Sequence, residues 1–225
     1  MLKTLVITGA SRGIGHALAK LASEAGHSVY ALSRNIETLE RTATLFPISI
    51  DLTDEKAIVE FADQLKEEGV VIDALINNAG ALINKPFSET SAKDFESVYR
   101  VNVFGLASLT RILIPFIELK GHVVNISSMG GLQGSSKFPG LAAYSSSKAA
   151  VNILTELLAE EYKNTGPAFN GLALGAVQTE MLEAAFPGFK APVTAQQMAK
   201  YILQFALQGQ PFYNGKILPL SSSTP

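Results

Sequence analysis

No stretch restricts the fold more than the first 26 residues. Leu2 to Thr8 is a short apolar run. Gly9-Ala10-Ser11-Arg12-Gly13-Ile14-Gly15 follows at once, and Ala17, Leu18, Leu21, Ala22 and Ala25 then recur at helical spacing until Gly26. A short apolar run broken by glycine reads as a strand, and the spacing after it as a helix with a glycine stop. A strand that turns directly into a helix reaches a parallel neighbour through a right-handed crossover. The rest of the chain repeats that alternation. Strands are expected over Ser28–Ser33, Pro47–Asp51, Val71–Asn77, His122–Ser127, Phe169–Leu174 and Gly215–Leu220. Helices are expected from about Asn35, over Glu55–Glu68, about Ala92–Glu118, about Tyr144–Lys163 and about Ala195–Leu207. The stretch from Val71 is apolar up to Asn77 except for Asp73, the pattern of a strand buried on both faces. The alternation predicts an α/β fold with a doubly wound, parallel, seven-stranded sheet and helices on both faces. In such sheets the ligand lies at the carboxyl ends of the strands.

Composition narrows what such a chain can do. With 225 residues and 47% apolar side chains it can bury one large core, and the absence of repeats or linkers argues for a single domain over 1–225. Charged residues make up 17% and the net charge is −2, so there is no broad basic surface for nucleic acid. No cysteine is present, which excludes disulfides and thiolate chemistry and points to a reducing, cytoplasmic setting. The apolar run at the start is too short for a signal peptide. Val101 to Leu119 is apolar but interrupted by Asn102, Arg111 and Glu118, so it reads as a buried helix rather than a membrane span. His16, His27 and His122 are scattered without ligand spacing, and no metal site is expected.

Gly9, Gly13 and Gly15 lie between a strand and a helix near the amino terminus, the context in which a glycine turn binds a dinucleotide. Glycine lets backbone approach a pyrophosphate, and the helix amino terminus stabilises its charge. A second pattern, Tyr144-Ser145-Ser146-Ser147-Lys148, places a phenol and an ammonium four positions apart on one helix face. An ammonium at about 4 Å stabilises a phenolate by on the order of 4 kcal/mol at an effective dielectric of ~20, nearly three pKa units. Such a pair can exchange protons near neutral pH.

Together these motifs resemble the short-chain dehydrogenase/reductase family, classical type, with its Rossmann-like fold. The spacing Thr8-Gly-x-x-x-Gly-x-Gly15 matches that family's turn, and Asn77-Asn78-Ala79-Gly80 matches its Asn-Asn-Ala-Gly after the fourth strand. The resemblance implies Asn102, Ser128, Tyr144 and Lys148 as catalytic residues. Tyr144 would be the acid in reduction and the base in oxidation, and Lys148 would lower its pKa and hold the nicotinamide ribose. Ser128 would hydrogen-bond the substrate oxygen, with Ser127 its rival by one register step, and Asn102 would support a proton-relaying water. A cofactor cleft is implied over Gly9, Ser11, Arg12, Gly13, Ile14, Gly15, Ser33, Arg34, Asp51, Leu52, Asn78, Ala79 and Gly80. Tyr144, Lys148, Gly175, Val177 and Thr179 would complete it. The activity implied is reversible hydride transfer between a nicotinamide and a small-molecule carbonyl or secondary alcohol. The alternative is an NADP(H)-binding redox sensor or scaffold without turnover.

Ser33 stands at the end of the second strand, where NAD-binding folds place an acid on the ribose. With Arg12 and Arg34 beside it, guanidinium groups would suit a 2′-phosphate, so NADP(H) is the expected cofactor, with NAD(H) possible. Glu37, the nearby acid, is assigned to the first turn of the helix after Asn35. Three departures from the family pattern matter. Leu174 replaces the usual proline before Gly175, and Ser221-Ser222-Ser223 replaces Asp-Gly-Gly after the last strand. Met129–Ala143 is about three residues longer than the family's segment. The lid at about 179–193 is short and apolar, with Phe186, Pro187, Phe189 and Pro192, suggesting a fairly open site. A homo-oligomer, dimer or tetramer, is implied through the helices near Asn102 and Lys148.

Overall fold

In a computed structural model, residues 1–221 are described. The strands are β1 (Thr4–Thr8), β2 (Ser28–Ser33), β3 (Leu45–Ser49), β4 (Ile72–Asn77), β5 (Ile117–Ser128), β6 (Ala168–Leu174), β7 (Val177–Gln178), β8 (Val193–Thr194) and β9 (Lys216–Leu220). The helices are α1 (Gly13–Glu24), α2 (Glu55–Glu67), α3 (Ala92–Tyr99), α4 (Leu106–Leu113), α5 (Ala142–Glu161), α6 (Glu180–Ala185) and α7 (Ala195–Gln208). Seven strands form one sheet in the order β3-β2-β1-β4-β5-β6-β9, every pair parallel. β7 and β8 pair separately beside it.

The two-residue period of β1 divides the core. Leu5 and Ile7 face a cluster with Leu18 and Ala22 of α1 and Ala199 and Ile202 of α7. Val6 faces the other side, with Ile58, Phe61 and Leu65 of α2, Leu109 and Leu113 of α4, and Phe169 of β6. Each fully buried aliphatic contributes about 1.5–3 kcal/mol, so two faces filled this way hold helices against both sides of the sheet. Proline cannot donate to a ladder, and Pro47 and Pro219 occupy the two edge strands, β3 and β9. The chain builds outward from β1 through β2 to β3, then crosses to β4 on the other side. That switch leaves a crevice at the carboxyl ends of β1 and β4.

Three sequence expectations need correction. No helix follows Asn35. Its Oδ1 accepts from the Glu37 amide at 2.8 Å and Thr38 Oγ1 donates to the Ser11 carbonyl at 2.7 Å, so side chains satisfy backbone groups in place of a helix. Glu37 therefore sits in a turn. The helical stretch expected over Ala92–Glu118 is α3, a π-helical turn at Arg100–Gly105, α4, and a 3-10 turn at Ile114–Phe116 containing Pro115. β5 then begins at Ile117, earlier than expected, with a register shift against β4 between Ile72 and Ala74. Ser222 and Ser223, part of the departure after the last strand, lie outside the described residues.

Candidate active site

The glycine turn is stitched to the end of β4. Thr8 Oγ1 accepts from the amides of Asn78 (3.0 Å) and Ala79 (2.9 Å), while Asn78 Nδ2 donates to the Thr8 carbonyl at 2.9 Å. Gly9 has φ +67°, and a Cβ there would lie 2.8 Å from the Ala79 Cα, so this position needs glycine for both conformation and space. Gly15 is buried behind the turn, where a Cβ would press on the Gly9 carbonyl and Asn78 Nδ2. Thr8 is the residue that the sequence reading passed over. Its signal was there, a hydroxyl ending a buried strand directly before a glycine.

A cleft of about 380 Å³ opens from this turn. Gly9, Ser11, Arg12, Gly13 and Ile14 line it from β1–α1, Ser33 and Arg34 from β2, Asp51 and Leu52 beyond β3, and Asn78, Ala79 and Gly80 beyond β4. α2, α3, α6 and α7 are capped by Asp54, Ser91, Thr179 and Thr194. By contrast α1, whose first residues face the cleft, has no side-chain cap and no acid in its first turn. Uncapped amides with a glycine approach are what a pyrophosphate requires. The residues present therefore fit a nicotinamide dinucleotide. Among the described residues, the Arg12 and Arg34 guanidinium groups have no ionic or hydrogen-bonding partner, and Glu37 does not line the cleft.

A second pocket, of about 160 Å³, meets the first at Ile14, Asn78, Thr179 and Met181. Ser128, Tyr144 and Lys148 lie in its wall, with Gly175 and Val177. The two serines at the end of β5 both border this pocket but have different partners. Ser127 is buried and donates to the Lys148 carbonyl at 3.3 Å, locking α5 against the sheet, whereas the Ser128 hydroxyl is hydrogen-bonded with Tyr144. Ser128 Oγ also accepts from the Gly130 amide at 3.3 Å.

Lys148 is 4% exposed, its Nζ donates to the Ile126 carbonyl at 2.8 Å, and it lies 5.7 Å from the Tyr144 ring centroid. Burial pushes Lys148 down to about 8. It pushes the Tyr144 phenol up, and the hydrogen bond with Ser128 opposes that shift. Lys148 was expected to lower the Tyr144 value; here burial is the larger influence on the phenol and moves it up. Asn102 is buried in the π-helical turn. It accepts from the Ala81 amide (2.7 Å) and donates to the Ala81 carbonyl (2.9 Å) and to Ser147 Oγ (2.9 Å). Its amide ties β4's exit to α5 and does not line either pocket. A Cβ added at Gly80 would sit 3.5 Å from Asn102 Oδ1 and 3.6 Å from Lys148 Nζ, so the three converge there.

His122 is buried. Its Nδ1 pairs with the Ala206 carbonyl (3.1 Å) and its Nε2 with Asn170 (2.9 Å), and burial pushes it down to about 4. Its role is structural. Among the described residues no cluster of His, Asp or Glu could hold a metal, and no helix is long and apolar enough to cross a membrane.

The profile of the short chain dehydrogenase family matches residues 3–188. The chain belongs to the short-chain dehydrogenase/reductase family. It is an NAD(P)-dependent dehydrogenase or reductase. Gluconate 5-dehydrogenase of Gluconobacter oxydans is 35% identical over 190 residues, spanning 79% of this chain and 72% of that protein. The structure of a 4-hydroxyisoleucine dehydrogenase complexed with NADH superposes with a TM-score of 0.87 at 29% identity, covering 98% of each chain. A short-chain dehydrogenase from Shigella flexneri complexed with NADP gives a TM-score of 0.87 at 26% identity, covering 96% of each.

Proposed function

We propose that this short-chain dehydrogenase/reductase is an NADP(H)-dependent carbonyl reductase, working in reverse on the corresponding secondary alcohol. The observation that carries this reading is the Ser128–Tyr144 hydroxyl pair, set where the dinucleotide cleft meets the second pocket. One of these solved relatives is complexed with NADH and the other with NADP, so the preference rests on this chain's own residues. Ser33 offers no carboxylate to a ribose 2′-hydroxyl, and the unpaired Arg12 and Arg34 guanidinium groups lie beside it to take a 2′-phosphate.

When bound, the reduced nicotinamide supplies a hydride to the carbonyl carbon. Tyr144 donates its phenolic proton to the carbonyl oxygen, and Ser128 donates a hydrogen bond to the same oxygen as negative charge develops. Lys148, held near pKa 8, is cationic at neutral pH and stabilises the tyrosinate left behind. Asn102 fixes Ala81 and α5 relative to one another and so positions Lys148. Residues 179–193 serve as the lid. An exposed apolar surface at Phe104 (59%), Ile153 (65%) and Leu157 (59%) supports a homo-oligomer through the π-helical turn and α5. A cytoplasmic location is part of the same reading, a cysteine-free chain being suited to a reducing compartment.

The test is nucleotide consumption over a panel of ketones, aldehydes and quinones, run with NADPH and with NADH. The reading expects turnover with a higher kcat/KM for NADPH. Equal or better efficiency with NADH overturns the cofactor assignment, and tight NADPH binding without oxidation of any carbonyl leaves the sensor alternative.

A further inference from the structure

The second pocket is smaller than a short lid suggests. Three contacts roof it. Asn84 Nδ2 donates to the Ala185 carbonyl at the end of α6 (2.6 Å), and the Lys85 amide donates to the Gly140 carbonyl (2.9 Å). Phe138, from the long segment before Tyr144, meets Phe186 of the lid edge to face, with ring centroids 6.0 Å apart. The segment after β4, the segment before α5 and the lid are thereby joined above Tyr144. Leu82, Met129, Phe138, Leu141, Leu182 and Phe186 line the space beneath, together with the polar residues Asn78, Ser128, Tyr144 and Thr179. Apart from Lys148, tied to the Ile126 carbonyl, no charged side chain among the described residues lines it.

We infer that the substrate is a small, uncharged aldehyde or ketone whose body is about one carbocyclic ring, with Phe138 and Phe186 setting the size limit. The inference rests on the carbonyl-reductase reading and adds the substrate class to it. Size supports it, since an apolar cavity of roughly 150 Å³ accepts a benzene ring, and this pocket of about 160 Å³, whose Gly175, Val177 and Thr179 side is assigned to the nicotinamide, leaves room for no larger body. Chemistry supports it too. A carboxylate or polyol entering a mostly apolar pocket leaves several of its polar groups without partners. Gluconate, the substrate in the Gluconobacter relative's name, is a polyhydroxylated anion and does not suit these walls. The carbonyl itself finds Ser128 and Tyr144, the hydroxyls at the polar side.

The experiment compares acetophenone, 2-acetonaphthone and levulinate as substrates with saturating NADPH, in the wild type, Phe138→Ala and the milder Phe138→Leu. Saturation-transfer NMR of acetophenone on the same proteins reads occupancy without turnover. Acetophenone is expected to exceed each of the others by at least about 10-fold in kcat/KM, with Phe138→Ala narrowing the naphthyl gap by about 10-fold. Levulinate or 2-acetonaphthone used as well as acetophenone by the wild type overturns the inference while leaving the reductase reading standing. So does a ratio unmoved in both variants. If nothing is reduced but acetophenone saturation transfer is present and falls in Phe138→Ala, the pocket assignment stands and the reductase reading fails. Absence of acetophenone binding overturns the inference.

Discussion

The dinucleotide cleft and the pocket beside it are built by different means. In the cleft, backbone meets backbone: Gly9 touches Ala79 and the Thr8 hydroxyl holds two amides of the next strand's exit. The pocket is closed by side chains on loops, with Phe138 against Phe186 and Asn84 reaching the Ala185 carbonyl. Two glycines show the difference. Gly9 and Gly188 both have positive φ, yet a Cβ at Gly188 would meet nothing within 4 Å, whereas one at Gly9 would meet the Ala79 backbone. The cleft therefore tolerates almost no change at Gly9, whereas the lid loop has room for a side chain at Gly188.

Parallel substitutions can break that contrast. Gly9→Ala combines left-handed strain of about 1–2 kcal/mol with overpacking of about 1–3. A loss of about 3 kcal/mol is expected, a drop in Tm of roughly 6–12 °C. Gly188→Ala meets only the strain and is expected to lower Tm by roughly 2–8 °C. Equal losses in thermal unfolding would erase the distinction.

A second substitution sharpens the account of the cleft's mouth. Arg34→Ala removes a charge-assisted contact to a 2′-phosphate worth about 1.5–3 kcal/mol, so KM for NADPH is expected to rise about 10- to 100-fold. KM for NADH should stay within about 3-fold. A matching rise for NADH would show that Arg34 serves the turn and not the phosphate.

Charge at the junction gives a smaller and opposite effect. The folded value of Lys148, about 8, lies below its ordinary 10.5. Between those values the unfolded chain holds a proton that the folded chain has released, so stability rises with pH across that window. Below pH 8 the folded protein carries a buried ammonium. Lys148→Met is therefore expected to raise Tm by about 3 °C at pH 7 while removing activity, with the gain shrinking as pH climbs toward 10.5. An unchanged or lower Tm at pH 7 would remove the desolvation cost from the account.

Smallest is His122, which belongs to the sheet's core and to neither pocket. Its folded value, about 4, lies below the usual 6.5, so its contribution is complete above pH 6.5 and is lost as pH falls through 4. Replacing it in His122→Gln should flatten the fall of Tm between those pH values. An unaltered slope would move the acid sensitivity elsewhere.

The same contrast explains what could be read from the residues alone. The glycine turn, the alternation of strands with helices and the Tyr144–Lys148 pair are local patterns, and each lies where its spacing predicts. Features made by tertiary contact were not legible. Asn35 looked like the start of a helix, but its side chain closes a turn instead. Ser127 and Ser128 were rivals until the sheet turned one toward the Lys148 carbonyl and the other toward Tyr144. The π-helical turn that buries Asn102 leaves no trace in spacing that also fits an α-helix. The roof needed three separate segments to meet, so no local pattern marked it.

Tyr144→Phe tests the central claim most directly, because it removes one hydroxyl at the point where the two regions join. Single-turnover oxidation of NADPH by a carbonyl substrate, measured beside the Kd for NADPH, separates chemistry from binding. The account predicts a rate lower by about 10²- to 10⁴-fold with Kd changed by less than about 3-fold. Wild-type hydride transfer in the phenylalanine variant would contradict it.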